Sequence, residues 1–208
     1  MKLLFRFLFL FCSIQGFAQG IKPADFPVSK LGSTLGLPWT GGFNNPQFSP
    51  IDLNNDGLQD FIVVDRSDER ILTFIQQHNR WLYAPQFEAA FPDDSLKDWV
   101  LLRDMDCDND LDLFTGANSN VRIFKNLKQE TGNLQFTLAI DRLYSLYTNT
   151  NTFLYTAGID VPGIIDVDSD SDLDLLVFDV TGTLIEFHKN RAIEDLGRCD
   201  TMKMVKTS

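Results

Sequence analysis

A nine-residue acidic loop is written three times in this chain, and each copy runs straight into an apolar stretch. The copies are Asp52-Leu-Asn-Asn-Asp-Gly-Leu-Gln-Asp60, Asp104-Met-Asp-Cys-Asp-Asn-Asp-Leu-Asp112 and Asp166-Val-Asp-Ser-Asp-Ser-Asp-Leu-Asp174. A long internal repeat excludes most single-site folds and points to an array or propeller, in which each unit buries its face against the next. Oxygen-bearing side chains recur at loop positions 1, 3, 5 and 9: Asp52, Asn54, Asp56 and Asp60; Asp104, Asp106, Asp108 and Asp112; Asp166, Asp168, Asp170 and Asp174. Position 7 (Leu58, Asp110, Asp172) is assigned a backbone carbonyl, since Leu58 has no ligating side chain. An all-oxygen set at this spacing suits a hard cation, and calcium fits it better than magnesium, which demands a tight octahedron and keeps its waters.

The loop starts lie 52 and 62 residues apart, and each unit reads the same way. A short strand leads in (47–51, 99–103, 163–165). After the loop comes an apolar run (61–64, 113–114, 175–178). Consecutive apolar residues predict strands buried on both faces. A polar turn follows (66–69, 117–120, 181–183), then a third strand (71–75, 121–124, 184–187) and a fourth (81–84, 134–140, 201–205). Four strands per unit of about 50–60 residues is the size of a propeller blade. No long stretch of helical period competes. The expected fold is therefore all-β and propeller-type, with three four-stranded blades at 47–97, 98–160 and 161–208 behind a Gly- and Pro-rich lead-in at 19–46.

The first 18 residues predict a secretory signal. Lys2 and Arg6 precede an apolar stretch from Phe7 to Ile14, and Gly16-Phe17-Ala18 places small residues before a cleavage point. Its removal lowers Lys+Arg from 18 to 16 against 29 acids, a net charge of −13. Thirteen of those acids are the loop aspartates. This balance argues against nucleic-acid binding, and no later segment is long and apolar enough to span a membrane. A secreted or cell-surface location is expected. The two remaining cysteines, Cys107 at position 4 of the second loop and Cys199 near the C-terminus, are read as unpaired small residues, with a mutual bridge the lesser alternative.

An EF-hand and an ion-free turn both compete for these loops. An EF-hand needs Glu at position 12 and flanking helices, but position 12 is Val63, Thr115 and Val177 in β-type sequence. Asp/Asn/Gly clusters also form turns with no ion, yet three copies in one register favour ligation. Position 6 requires a sharp turn, which suits Gly57 and Asn109 better than Ser171. The third site is accordingly expected to be the weaker one.

The stretch from Phe48 to Val64, the pair Asp104–Leu113 with Val121–Asn126, and the pair Asp166–Leu175 with Leu184–Asn190 resemble the FG-GAP/VCBS repeats of integrin-α-like β-propellers. The resemblance covers about residues 46–205. It implies calcium between the first two strands of each blade and a secreted or surface-attached protein serving adhesion or ligand binding. The second and third loops depart from the family at the position-6 glycine. Closed propellers have about 4–8 blades, so three units predict either the N-terminal part of a longer secreted protein or closure by oligomerisation.

The function expected is a non-enzymatic, calcium-stabilised module for an extracellular protein or carbohydrate ligand. The alternative is part of a calcium-containing propeller enzyme acting on polysaccharides, with paired acids as general acid and base. No nucleophile elbow, phosphate loop or zinc spacing is present. His78 and His188 are read as surface residues. Trp39, Trp81 and Trp99 are read as core by default, with ligand-gripping loops the alternative.

Overall fold

The computed structural model describes residues 27–36, 38, 41–92 and 96–208. The signal segment and Trp39 lie outside the described residues. The chain divides into residues 1–39 and residues 40–208. Within residues 1–39, β1 (Ser29–Lys30) and β2 (Ser33–Thr34) form a short antiparallel hairpin.

Residues 40–208 are all-β and consist of three sheets, one for each repeat unit. The first is an antiparallel meander of β3 (Pro46–Ile51), β4 (Asp60–Asp65), β5 (Arg70–Gln77) and β6 (Arg80–Tyr83). The second repeats it with β7 (Lys97–Arg103), β8 (Asp112–Ala117), β9 (Asn120–Asn126) and β10 (Phe136–Ile140). In each unit the acidic loop joins the first two strands, as the sequence predicts.

The third sheet departs from the four-stranded expectation and has six strands. A hairpin of β11 (Tyr144–Tyr147) and β12 (Thr150–Phe153) precedes β13 (Gly163–Ile165), β14 (Asp174–Phe178), β15 (Ile185–Asn190) and β16 (Met204–Lys206). β16 pairs antiparallel with β15 and parallel with β11, so the hairpin adds two strands beyond the repeat unit. Tyr, Thr and Phe in Tyr144–Phe153 carry strand propensity, but no loop motif marks this hairpin.

The sheets pack face to face. One core joins Ile51, Leu53, Ile62 and Val64 of the first unit to Val100, Leu102, Leu113 and Phe124 of the second. The other joins Trp99, Phe114, Val121 and Ile123 to Ile164, Leu175 and Val177 of the third. Sheet two therefore buries both faces, and all six residues of β8 are buried. That is the physical meaning of its uninterrupted Leu113-Phe114 start. Trp99 lies within a bulge of β7 and packs against Gly116, where an added Cβ would meet its Nε1 at 2.8 Å.

Truncating a ring at this double-faced centre removes buried surface and leaves a cavity. Phe114→Ala should cost about 3–5 kcal/mol in urea denaturation. Leu138→Ala, at a side chain 51 % exposed, should stay within about 0.5 kcal/mol.

Candidate metal centre

All three loops are held by the same hydrogen bonds. The position-1 carboxylate accepts backbone N–H groups from within its own loop. Asp52 accepts from Asn55 and Gly57, Asp104 from Asp108 and Asn109, and Asp166 from Ser169 and Ser171, at 2.7–3.2 Å. The position-5 Oδ1 then accepts the position-7 N–H in Asp56, Asp108 and Asp170, at 2.8, 2.8 and 3.1 Å.

Position 9 acts as a clamp. Asp60, Asp112 and Asp174 are fully buried. One oxygen of each accepts the position-2 N–H (Leu53, Met105, Val167), and the other accepts an N–H at the end of the third strand (Gln76, Asn126, Asn190). Each clamp thus ties the mouth of its loop to β5, β9 or β15. A carboxylate holding two backbone donors is a strong, charge-assisted bridge.

The backbone obeys the sequence expectation and adds to it. Position 6 is left-handed in every copy, with φ of 77° at Gly57, 68° at Asn109 and 79° at Ser171. Ser171 takes this conformation despite its side chain. Position 4 is left-handed too, at Asn55, Cys107 and Ser169. Paired reversals let a nine-residue loop coil its carboxylates inward.

These turns gather the predicted ligands unequally. Asp104, Asp106 and Asp108 present carboxylate oxygens within 4.8 Å of one another, as do Asp166, Asp168 and Asp174. Asp168 and Asp170 also cluster with Glu194. In the first loop Asn54 donates its amide to Asp56 at 2.9 Å, and Leu58 is exposed.

The position-7 aspartates have side-chain contacts that the sequence reading missed. α1 (Lys128–Thr131) follows β9, and α2 (Ala192–Leu196) follows β15. The Asp110 and Asp172 carboxylates accept the backbone N–H of Gln129 and Ile193 in these turns, at 2.8 and 3.2 Å. The first unit has Leu58 at this position and no helix directly after β5.

Two lysines were also missed. Lys125 Nζ lies 2.6 Å from Asp106 Oδ2, 3.6 Å from Asp108 Oδ2 and 2.9 Å from Glu130. Lys189 reaches Asp168, Asp170 and Glu194 in the same manner. The signal was in the sequence: Lys-Asn-x-x-x-Glu occurs at 125–130 and again at 189–194. Spacing alone does not reveal that the pair folds back over the loop.

One ammonium per loop leaves a charge shortage. The second loop and Glu130 hold six carboxylates, of which Asp106, Asp108 and Glu130 pair with Lys125, and the third loop and Glu194 hold six, of which Asp168, Asp170 and Glu194 pair with Lys189. Burial, aided by the charges of Asp106 and Asp108, pushes the Asp112 carboxyl up to about 7. Burial likewise raises Asp108, Asp172 and Asp174. Asp106 Oδ1 and Asp172 Oδ1 are buried and accept no hydrogen bond. Unpartnered buried carboxylate oxygens in an oxygen-rich loop fit a hard divalent cation. The ligands would be Asp104, Asp106 and Asp108 in the second loop and Asp166, Asp168 and Asp174 in the third, and the ion would supply the missing positive charge.

Two cysteine and histidine readings are corrected. Cys107 and Cys199 are joined in a disulfide, with Cα atoms 6.1 Å apart. The left-handed turn at Cys107 aims its side chain out of the loop, and Cys199 follows α2, so the bridge links the second loop to the third unit. Sequence separation of 92 residues concealed this proximity. His188 is buried rather than superficial, because the unforeseen β11–β12 hairpin covers that edge. Its Nδ1 lies 2.8 Å from Ser145 Oγ, and Tyr147 packs edge-on against its ring. Burial lowers its pKa against the pull of Glu186. His78 is exposed, as expected. Trp99 is core, whereas Trp81 is exposed.

No family model, curated protein or solved structure matches this chain. Among the described residues no helix is long and apolar enough to cross a membrane.

The clamp makes stability depend on pH. Folded Asp112 keeps its proton to about pH 7, whereas an unfolded aspartate releases it near pH 3.9. In chelator, its contribution is therefore fullest below that value and is lost as pH rises through 7. Urea denaturation in EDTA should show wild type losing stability relative to Asp112→Asn between pH 5 and 8. Separately, reducing Cys107–Cys199 should lower stability by about 2–4 kcal/mol, read as a shifted urea midpoint.

Proposed function

We propose that this chain is a calcium-stabilised, non-enzymatic binding module of FG-GAP/VCBS type. It is secreted or displayed at the cell surface and takes an extracellular protein or carbohydrate ligand. The observation that carries the calcium reading is the buried Asp106 Oδ1, which accepts no hydrogen bond and belongs to the Asp104, Asp106 and Asp108 cluster, inside a loop already short of positive charge. The aspartates are ligands and clamps in this reading, which leaves them no proton-transfer role. Bound calcium reverses the cost of burying Asp112 and fixes the loops that connect the first two strands.

Calcium is named on ligand chemistry. Acidic oxygens on a loop with several backbone turns suit a large, adaptable coordination sphere more than an octahedral one. Support for a binding role is the resemblance of the repeats together with exposed aromatic residues such as Trp81 and Phe48. A specific observation favours a second reading: Lys125 and Lys189 already bridge the loop acids, and ion pairs alone would then close the loops.

Thermal unfolding in EDTA and in about 1 mM calcium separates the two. Extracellular calcium modules bind at about 0.1–1 mM, so a site of ~0.1 mM adds about 1.4 kcal/mol at that concentration. Two filled loops should raise Tm by roughly 6–12 °C for a unit of this size. The gain should fall stepwise in Asp104→Ala and Asp166→Ala. An unchanged Tm in a folded protein would favour the lysine-closed loops and sink the calcium reading.

A further inference from the structure

The three units repeat an interface as well as a loop. Counted from loop position 1, Val64, Gly116 and Phe178 are equivalent, and their cross-strand partners are Ile71, Val121 and Ile185. Ile51 and Ile165 share a position at the end of the first strand, and Leu53, Met105 and Val167 share loop position 2. In the first and second units this forward row is turned into a core against the following sheet. In the third it is open: Ile185 is 62 % exposed, Ile165 58 % and Phe178 41 %.

The opposite face repeats the pattern from the other end. Phe48 is equivalent to Val100, and Pro50 to Leu102 and Ile164. Val100, Leu102 and Ile164 are buried against the preceding sheet, whereas Phe48 is 62 % exposed and Pro50 is exposed. Phe48, Phe61 and Trp81 form an aromatic row there, with centroids 6.1 and 4.6 Å apart.

The back face of the first sheet and the forward face of the third are thus the two halves of an interface the chain makes twice internally. Each half lacks its partner among the described residues. We propose that a second copy of this chain supplies both: the forward face of each third sheet docks on the back face of the other copy's first sheet. Two such head-to-tail contacts related by a two-fold axis close on themselves. They bring together six blade-like sheets, a number within the range at which such sheets form closed rings.

Local shape fits this occupant. A 190 Å³ depression on the forward face is walled by Val161, Pro162, Leu176, Phe178 and Ile185. Five residues ahead of its loop the second unit has Trp99, which fills the corresponding position, while the third has Val161. The missing ring volume is what Phe48 of the other copy would provide. A second copy would also cover Phe48, Trp81, Ile165, Phe178 and Ile185, apolar residues exposed on these two faces, where solvent contact is costly.

Sedimentation velocity of the purified protein across about 1–100 µM tests the assignment. A single species of twice the monomer mass is expected. Phe48→Asp and Phe178→Asp, both at exposed positions, should each yield a monomer with an unchanged circular dichroism spectrum. Mixing the two variants retains one intact contact and should restore a weak dimer. A wild-type monomer at 100 µM would overturn the proposal, whether residues 1–39 or further repeats cover the faces. A dimer lost in Phe178→Asp but kept in Phe48→Asp would overturn the head-to-tail arrangement in favour of two third sheets face to face. Unlimited growth with concentration would overturn closure.

Discussion

Three buried carboxylates hold this protein in register. Asp60, Asp112 and Asp174 each bind the entrance of an acidic loop with one oxygen and the end of the third strand with the other. The loop thereby becomes a fixed corner, and the first three strands of each repeat are tied at one point. The apolar residues that follow each clamp alternate between the two faces, so the same corner sets which side chains reach the sheet before and which reach the sheet after. Loss of a clamp would free two buried donors and one strand end at once, a larger effect than deletion of any exposed loop acid.

The charge pattern follows from that geometry. Burying the clamp costs solvation, and the neighbouring loop acids increase the cost, which is why Asp112 holds its proton up to about 7. Lys125 and Lys189 offset part of it, and Glu130 and Glu194 hold those lysines in place. A divalent cation completes the balance in the proposed function. The lysines and the ion are then partners in one charge cluster, with the lysine on the side of the following turn and the ion inside the loop.

Much of this was legible in the chain. The apolar runs after each loop marked the central strands, because a strand buried on both faces needs no alternation. Of the 1-3-5-9 oxygens, the second loop gathers positions 1, 3 and 5 and the third positions 1, 3 and 9, and Gly57 and Asn109 marked the left-handed turn at position 6. What escaped depended on partners distant in sequence. The Tyr144–Phe153 hairpin joins the third sheet through a parallel pairing with Met204 and Val205, and no local pattern encodes that choice. His188 became a core residue as a consequence. Cys107 and Cys199 lie 92 residues apart and meet only because the second loop abuts the turn after α2. Position 7 is Leu58 in the one copy with no helix directly after its third strand, and that exception hides the roles of Asp110 and Asp172.

The most direct test is the calcium stoichiometry of the chelator-stripped protein, measured by isothermal titration near pH 7.5. At least two ions per chain are predicted, with one binding event lost in Asp106→Ala and another in Asp168→Ala. Absence of calcium binding by a folded chain would contradict the calcium assignment and leave the loops as lysine-closed corners.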